Sequence, residues 1–188
     1  MAIEEPSYRL VDQGDDIEIR EYAPRVVAEV EVEADFEEAG SKGFRPLADY
    51  IFGNNKPETK VEMTAPVSQE PAEGAKIAMT APVTQQEDSG RHVVRFTMPA
   101  SYTLETLPAP RNPRVKLRQL ESSTVAVIRY SGFWSQKNYE EQLVALRSKI
   151  KARGMVEQGP PTWARYNAPI TPWFMRRNEI HIPVSSAD

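Results

Sequence analysis

The sequence contains no cysteine and only two histidines, His92 and His181. A chain without cysteine forms no disulfide framework, no thiolate metal site and no cysteine nucleophile. Histidine is the usual acid–base group and metal ligand near neutral pH, so two isolated histidines leave little of that chemistry. The sequence also lacks a Gly-x-Ser-x-Gly elbow and a phosphate-binding glycine loop. We therefore predict that the protein is not an enzyme.

Long apolar runs and an excess of basic residues are also missing. No stretch approaches the roughly 20 apolar residues of a membrane-spanning helix, and the first residues contain no basic and apolar segments of a secretory signal. Acidic residues outnumber basic ones by 27 to 23, for a formal net charge of −4, whereas nucleic-acid binding needs a basic surface. We predict a cytoplasmic protein with no membrane span and no nucleic-acid partner.

The first residues show the alternating pattern of β-strands. In VVAEVEVEA, residues 26–34, Ala28, Val30 and Val32 share one face of the predicted strand. Glu29 begins the row of glutamates on the other face, which we expect to be solvated. Short strands before this one complete a meander.

The period then changes to that of a helix. Apolar residues recur at helical spacing over residues 36–51, with Asp35 and Glu38 as a capping box and Gly53 after the end. Pro46 removes one hydrogen bond of such a helix. The segment is therefore either one kinked helix or two short ones, the second of which begins at Pro46.

The second half of the chain repeats this scheme. Two alternating strands precede a helix that Ser135 caps and Gly154 ends, and a strand follows near residues 162–166. We predict one domain over residues 1–188, built from two pseudo-repeats at about residues 8–85 and 115–184. The fold class is α+β, in which duplicated β-β-α-β units form a distorted antiparallel barrel or sheet flanked by two main helices.

The phrase Met-Thr-Ala-Pro-Val occurs twice, at residues 63–67 and 79–83. Proline interrupts a strand ladder because it has no N–H to donate, so we interpret both phrases as strand ends. Met63 and Met79 are then either core residues of adjacent strands or part of an apolar ligand wall, where flexible thioethers suit a flat ligand.

A second unusual stretch is PWFMRR, residues 172–177. Trp173, Phe174 and Met175 form an apolar loop that Arg176 follows at once. This combination suits an apolar ligand with carboxylates, because arginine binds carboxylate through two parallel hydrogen bonds. Alternatively, the loop packs on the core and one of its arginines pairs with an acidic neighbour such as Glu179.

Four other aromatic or imidazole side chains have structural interpretations. Phe133 and Trp134 precede the second helix and are predicted to be core residues or a hydrophobic staple. His92 and His181 lie in alternating strands and are predicted to be sheet residues rather than iron ligands.

Several segments together resemble the SOUL heme-binding protein family, in the order in which the family has them: EAGSKGFRPLADYIFGNN, KIAMTAPVTQ, RFTMPASYTLETLPAP, VAVIRYSGFWS and PWFMRRNEI. The resemblance covers about residues 8–184. It implies a duplicated α+β barrel similar to the effector-binding domains of bacterial drug-sensing regulators. It also implies heme b or another tetrapyrrole, held in an apolar groove by one helix and a C-terminal loop.

Carried over by position, the resemblance implies a groove between residues 41–51 and residues 172–175. Its ligand contacts would be Phe44, Leu47, Ala48 and Ile51 on the helix and Trp173, Phe174 and Met175 opposite, with Arg45 and Arg176 at the propionates. Some family members are thought to use a histidine near the first helix, where this sequence has none. We therefore expect no strong axial ligand and assign no metal ligand.

The resulting prediction is a non-enzymatic protein that binds heme or another tetrapyrrole reversibly for transport, buffering or sensing. The alternative is a general small-molecule effector-binding domain that accepts flat apolar ligands without specific heme ligation. The missing histidine favours that alternative. A tetrapyrrole is the one partner that we predict.

Overall fold

The computed structural model describes residues 3–56 and 74–186. Within these residues the fold is α+β, and the first half contains β1 Tyr8–Gly14, β2 Ile17–Tyr22, β3 Arg25–Val32, α1 Phe36–Ile51, β4 Asn55–Lys56, β5 Val83–Asp88 and β6 Arg91–Thr97. The second half contains β7 Ala109–Pro110, β8 Lys116–Leu120, β9 Ser123–Tyr130, α2 Gln136–Ala152, β10 Met155–Glu157, β11 Thr162–Arg165 and β12 Asn178–Ser186, with a 3₁₀ turn at Trp173–Met175. Neither helix is long and apolar enough to cross a membrane, within the part of the chain that the structure describes.

Ten strands form one antiparallel sheet in the order β1-β2-β9-β12-β11-β5-β6-β3-β8, with β10 paired to β12. Strands β4 and β7 form a separate pair. The sheet is symmetric about the β11–β5 pair, because β5, β6 and β3 flank α1 in sequence as β11, β12 and β9 flank α2. Strands β2 and β8 pair with strands of the opposite half, and β1 forms the sheet edge beyond β2. The predicted α+β class with two helices on a large antiparallel sheet is confirmed, and the sheet is not closed; the repeat boundaries stay a prediction.

Both helices cover the same face of the sheet. Trp163, which packs with α2, lies opposite Gln85, and Gln85 lies opposite Val94, which packs with α1. Paired residues of antiparallel strands project to the same side. We call this side the helical face and the other side the open face.

Helix α1 runs through Pro46 as one helix and ends before Gly53, whose φ is 118°. It begins after Asp35 as predicted, but the Asp35 side chain makes no capping hydrogen bond. Glu38 instead forms an ion pair with Lys42 at 2.7 Å. The predicted capping box is therefore wrong, because the Glu38 carboxylate pairs with Lys42, four residues further along the helix, and not with the helix N-terminus. The predicted Ser135 cap of α2 is confirmed by a hydrogen bond from the Asn138 N–H.

The second Met-Thr-Ala-Pro-Val phrase, residues 79–83, leads into β5 and does not end a strand. Ile77 is buried, and Met79 packs against the core under α1. The first phrase, with Met63, lies outside the described residues.

A buried carboxylate, Glu179 on β12, is the centre of the open face. Its Oε2 accepts hydrogen bonds from Arg20 at 2.8 Å, Tyr166 at 2.7 Å and His181 at 2.8 Å, and its Oε1 accepts from Arg177. Burial alone would raise the pKa of Glu179, but the hydrogen bonds from His181 and Arg20 hold it below its usual range. The carboxylate is therefore ionised and fully satisfied.

The row of glutamates on β3 is not uniformly solvated. Glu29 is 13% exposed and pairs with Arg95 at 2.8 Å across β3 and β6. The predicted solvated face is therefore wrong at Glu29, because Arg95 and Arg118 on the neighbouring strands pair with its carboxylate. Glu31 is exposed as expected.

We expect the free energy of unfolding to decrease as the pH falls below about 6.5, the ordinary pKa of a histidine. Burial, outweighing the attraction of Glu179, lowers the pKa of His181 in the folded protein. The unfolded chain therefore binds a proton in this range that the folded chain does not, at a loss of at most about 1.4 kcal/mol per pH unit. The loss is complete once the pH is below the lowered pKa.

Urea unfolding of the wild type and of His181→Gln, from about pH 7.5 to about pH 5, tests this assignment. The glutamine amide can still donate to Glu179, so the variant should fold and show a flatter pH dependence. Equal dependence in the two proteins would contradict it.

Candidate ligand groove

A groove of about 340 Å³ lies on the helical face, between α1 and the loop that follows β11. Its walls come from five segments that are distant in sequence: Ile3, α1, the lead into β5, Trp134 before α2, and the end of β11 with the loop that follows it. The lining residues that matter below are Gly40, Phe44, Arg45, Met79, Trp134, Arg165 and Tyr166. The groove is mostly apolar, and its cations are two arginines.

Arg165 supplies the buried cation of the groove. Its guanidinium carbon lies 4.7 Å from the ring centroid of Trp163 and 5.2 Å from that of Trp134. Within residues 3–56 and 74–186, its guanidinium makes one hydrogen bond, a long one of 3.4 Å from Nη2 to Oε1 of Gln85. Among the described residues no carboxylate forms an ion pair with it. Burial lowers the pKa of Arg165 to about 10, so the charge is desolvated but still present at neutral pH.

Gly40 makes room for this guanidinium. A Cβ at position 40 would overlap the end of the Arg165 side chain. One turn further along α1, a Cβ at Gly43 would overlap the side chain of Val94 on β6. The two glycines therefore let α1 approach the sheet closely enough to cover Arg165.

The far wall of the groove is attached to the buried carboxylate. Tyr166 lines the groove and donates its hydroxyl to Glu179 on the open face at 2.7 Å. Burial and the charge of Glu179 raise the pKa of Tyr166 far above its usual value. Arg177 lies over the Tyr166 ring at 3.7 Å and also binds Glu179. Tyr166, at the start of the loop that forms this wall, is thus held by the ionised network on the open face.

Three of the predicted site residues line the groove: Phe44, Arg45 and Met79. The Phe44 ring is 36% exposed and packs edge-on against Phe96, 5.2 Å between centroids. Arg45 is exposed at the rim. Met79 is half-buried, so it belongs both to the core and to the groove wall.

Leu47, Ala48 and Ile51 have a different location. All three are buried, Leu47 at 0% and Ile51 at 1% exposure, and pack in the core between α1 and the sheet. They lie on the side of α1 that faces the sheet, as Gly43 does, and one to two helical turns after Phe44 along the chain. The groove that we describe does not include them.

The predicted loop residues lie beside the groove rather than in it. Trp173, Phe174 and Met175 are exposed on the 3₁₀ turn, and Trp173 stacks on Phe133 with 5.1 Å between ring centroids. We call these three residues and Phe133 the aromatic rim. The expectation that Phe133 is a core residue is wrong, because its ring stacks on this exposed turn.

Arg176 fastens the loop to the groove wall. Its Nε and Nη2 donate to the backbone oxygens of Thr171 at 2.8 Å and Pro169 at 2.9 Å. Its guanidinium lies 4.3 Å from the centroid of Trp134. The alternative in which an arginine of this stretch pairs with Glu179 is realised by its neighbour Arg177.

Sequence reasoning did not assign Trp134, Arg165 or Tyr166 to the site. Trp134 packs against the core under α2, as the sequence predicts, and it also lines the groove and donates its indole N–H to Asn178 at 2.8 Å. The usable signal was the segment WARY, residues 163–166. An arginine between two large aromatics in a buried strand marks a cation that the core must shield.

The donors available for iron are few. His92 is buried against Phe36, and His181 lies on the open face with Glu179. Met79 contributes a thioether to the groove wall. The described residues contain no cluster of three or more histidine, cysteine or acidic side chains that could hold a metal. The groove therefore fits the flat apolar body and a carboxylate of a porphyrin better than it fits the iron.

The fold resembles that of the C-terminal domain of EcmrR, which matches with a TM-score of 0.65 at 10% identity, over 96% of this chain and 99% of that one. That likeness concerns the fold alone. Residues 3–183 match the family model described as SOUL heme-binding protein, and the chain belongs to this family.

Two relatives carry the name heme-binding protein 2. The human protein is 29% identical over 193 residues, covering 95% of this chain and 88% of its own length. The mouse protein is 27% identical over 191 residues, with the same coverage.

Replacing Arg165 by methionine should leave the free energy of unfolding unchanged or raise it by about 1 kcal/mol. Burying the Arg165 charge without an ionic partner lowers the free energy of unfolding. The contacts of the guanidinium with the Trp163 and Trp134 rings offset only about 0.5–2 kcal/mol each. Arg95→Met is the matched control: it removes the nearer of the two arginines that pair with Glu29 and should lose about 1.5–3 kcal/mol, the contribution of a hydrogen bond to a charged group. Urea unfolding measures both. A loss at Arg165 as large as at Arg95 would show that Arg165 is a structural residue.

Proposed function

We propose that the protein binds heme or another tetrapyrrole reversibly in this groove and is not an enzyme. The observation that carries the proposal is Arg165, a desolvated guanidinium that lacks an ionic partner among the described residues and lies at the base of an apolar groove. A ligand carboxylate would replace the water that burial has removed from this charge. Membership of the SOUL heme-binding protein family supports the choice of a tetrapyrrole as that ligand.

The proposed pose follows from the lining residues. One face of the macrocycle packs on Phe44 and Met79, the opposite side faces Trp134, and one propionate pairs with Arg165. Arg45 at the rim is suited to the second propionate, where solvent weakens the pair. Nε and Nη2 of Arg176 donate to backbone oxygens of the loop. Within the described residues this leaves Nη1 as the nitrogen that would donate to a carboxylate. The aromatic rim, including Trp173, covers the part of the ring that leaves the groove.

Reversible binding is consistent with the size of the site. A volume of about 340 Å³ lies at the small end of ligand pockets, which span about 300–1,000 Å³. A porphyrin would therefore remain partly exposed, and each 100 Å² of apolar surface that it buries contributes about 2.5 kcal/mol against the cost of association. Such a balance suits transport, buffering or sensing better than permanent retention of a cofactor.

A second candidate is an effector-binding domain for flat apolar carboxylates without specific heme ligation. The placement of His92 and His181 away from the groove favours it. The net charge of −4 supports the further proposal that nucleic acid is not a partner. We also propose a cytoplasmic location.

Titration with hemin and with iron-free protoporphyrin, followed at the Soret band, tests the proposed function. We expect saturable binding of both in the wild type, and binding weakened about 10- to 100-fold in Arg165→Gln, because a charged hydrogen bond contributes about 1.5–3 kcal/mol. Arg147→Gln, which alters an exposed arginine on α2, is the matched control and should bind as the wild type does.

The two porphyrins separate the two candidate functions. Equal affinity for both would favour the carboxylate-binding domain without iron ligation. Tighter binding of hemin, reduced in Met79→Leu, would favour heme as the specific ligand. Absence of saturable binding, or equal binding by the Arg165→Gln variant, would contradict the proposed site.

A further inference from the structure

The open face of the sheet carries a second cavity, of about 830 Å³ compared with about 340 Å³ for the groove. Side chains from eight strands of the main sheet reach it, among them Tyr22, Val27 and Thr84. The sheet itself separates this cavity from the groove. Ligand binding in this cavity is therefore independent of whether a tetrapyrrole binds in the groove.

Arg25, the first residue of β3, projects into this cavity without a partner for one of its nitrogens. Its Nη1 is buried and has no hydrogen-bond partner within residues 3–56 and 74–186. The guanidinium carbon of Arg25 lies 4.8 Å from the centroid of the Tyr22 ring. Among the described residues, Tyr22 is the one aromatic ring that this guanidinium contacts. A buried N–H group of a cation without an acceptor is costly, so such groups usually indicate a missing ligand or solvent.

The neighbouring arginines of the cavity are engaged. Arg95 donates to Glu29 at 2.8 Å and to Gln86 at 2.7 Å. Arg118 lies 3.7 Å from the other oxygen of Glu29. Burial, together with the nearby charge of Arg95, lowers the pKa of Arg25. Arg95 therefore adds a second positive charge near Arg25, and one carboxylate, Glu29, already pairs with both Arg95 and Arg118.

The acids of the open face do not compensate Arg25. Glu179 is saturated by Arg20, Arg177, Tyr166 and His181. Asp88 and Glu121 line the cavity but are exposed, and in the described structure neither pairs with Arg25. A cationic ligand would meet a face whose one buried acid is already neutralised, whereas an anion would meet an unpaired guanidinium.

We propose that this cavity binds an amphiphilic organic anion, an aromatic carboxylate, whose carboxylate pairs with Arg25 and whose ring lies against Tyr22. Aliphatic side chains such as Val27 and Val125 supply the apolar lining that such a ring needs. The planar guanidinium fork suits a carboxylate, because two parallel hydrogen bonds fix its orientation. The cavity is thus a second ligand site on the sheet face opposite the groove.

Calorimetric titration with 2-naphthoate tests this site, with 2-naphthamide as the neutral analogue of equal shape. We expect the wild type to bind naphthoate at least tenfold more tightly than the amide. Arg25→Gln should remove this preference, and Arg25→Lys should restore part of it. Arg9→Gln, which changes an exposed arginine on β1, is the matched control and should keep the preference.

Arg165→Gln distinguishes this site from the groove. If naphthoate binds beside Arg25, this variant retains the preference for the carboxylate even if it loses porphyrin. A preference lost in Arg165→Gln and kept in Arg25→Gln would overturn the proposal, as would equal binding of naphthoate and naphthamide by the wild type.

A measurement on the unaltered chain does not depend on how any variant folds. In a nitrogen-15 correlation spectrum of the arginine side chains, the Nε–H signal of Arg25 should shift with naphthoate and stay in place with naphthamide. An unchanged Arg25 signal at saturating naphthoate would overturn the proposal.

Discussion

The ionised carboxylate of Glu179 is the interaction on which most of this structure depends. It joins β2, through Arg20, to β12 and to both ends of the loop between β11 and β12, through Tyr166 and Arg177. Removing one member would leave uncompensated buried charge, at a cost of about 3–5 kcal/mol. Tyr166 also lines the groove, so the polar network on the open face holds one residue of the groove wall.

Two guanidiniums stand apart from this satisfied network. Arg165 lies under α1 on the helical face, and Arg25 lies on the open face. Both are desolvated, and within the described residues neither has an ionic partner. Glu179, in contrast, has a hydrogen-bond donor for each of its oxygens. Because the two arginines without an ionic partner both lie at cavities, we propose both as sites for anionic ligands.

The sequence predicted the local structure better than the site. Alternation located β3, β9 and β12, and helical spacing with a following glycine located α1 despite Pro46. The family resemblance implies Phe44 and Arg45 as ligand contacts, and the repeated phrase offers Met79 as a wall residue. All three line the groove, and their contact with a ligand stays a prediction. The resemblance also implies Leu47 and Ile51, which pack in the core, because the partner of a helix face depends on how α1 lies on the sheet.

The segment WARY marks Arg165 as a cation to be shielded, but no local pattern shows that Arg165 and Trp134 share one groove. They meet because Arg165 pairs with Asn178, which accepts the Trp134 indole N–H. The β11–β5 pairing then brings Arg165 under α1, where Gly40 leaves space for the guanidinium. No local pattern contains that register. In contrast, the Trp173 loop attracted attention because its composition is unusual, although its aromatics lie outside the groove.

The most direct test of the account is a crystal structure of the protein with iron-free protoporphyrin. If the groove is the tetrapyrrole site, the macrocycle should lie between Phe44 and Trp134, with a propionate oxygen within hydrogen-bonding distance of the Arg165 guanidinium. A porphyrin bound in the open-face cavity beside Arg25, or on the aromatic rim with Arg165 uncontacted, would contradict it.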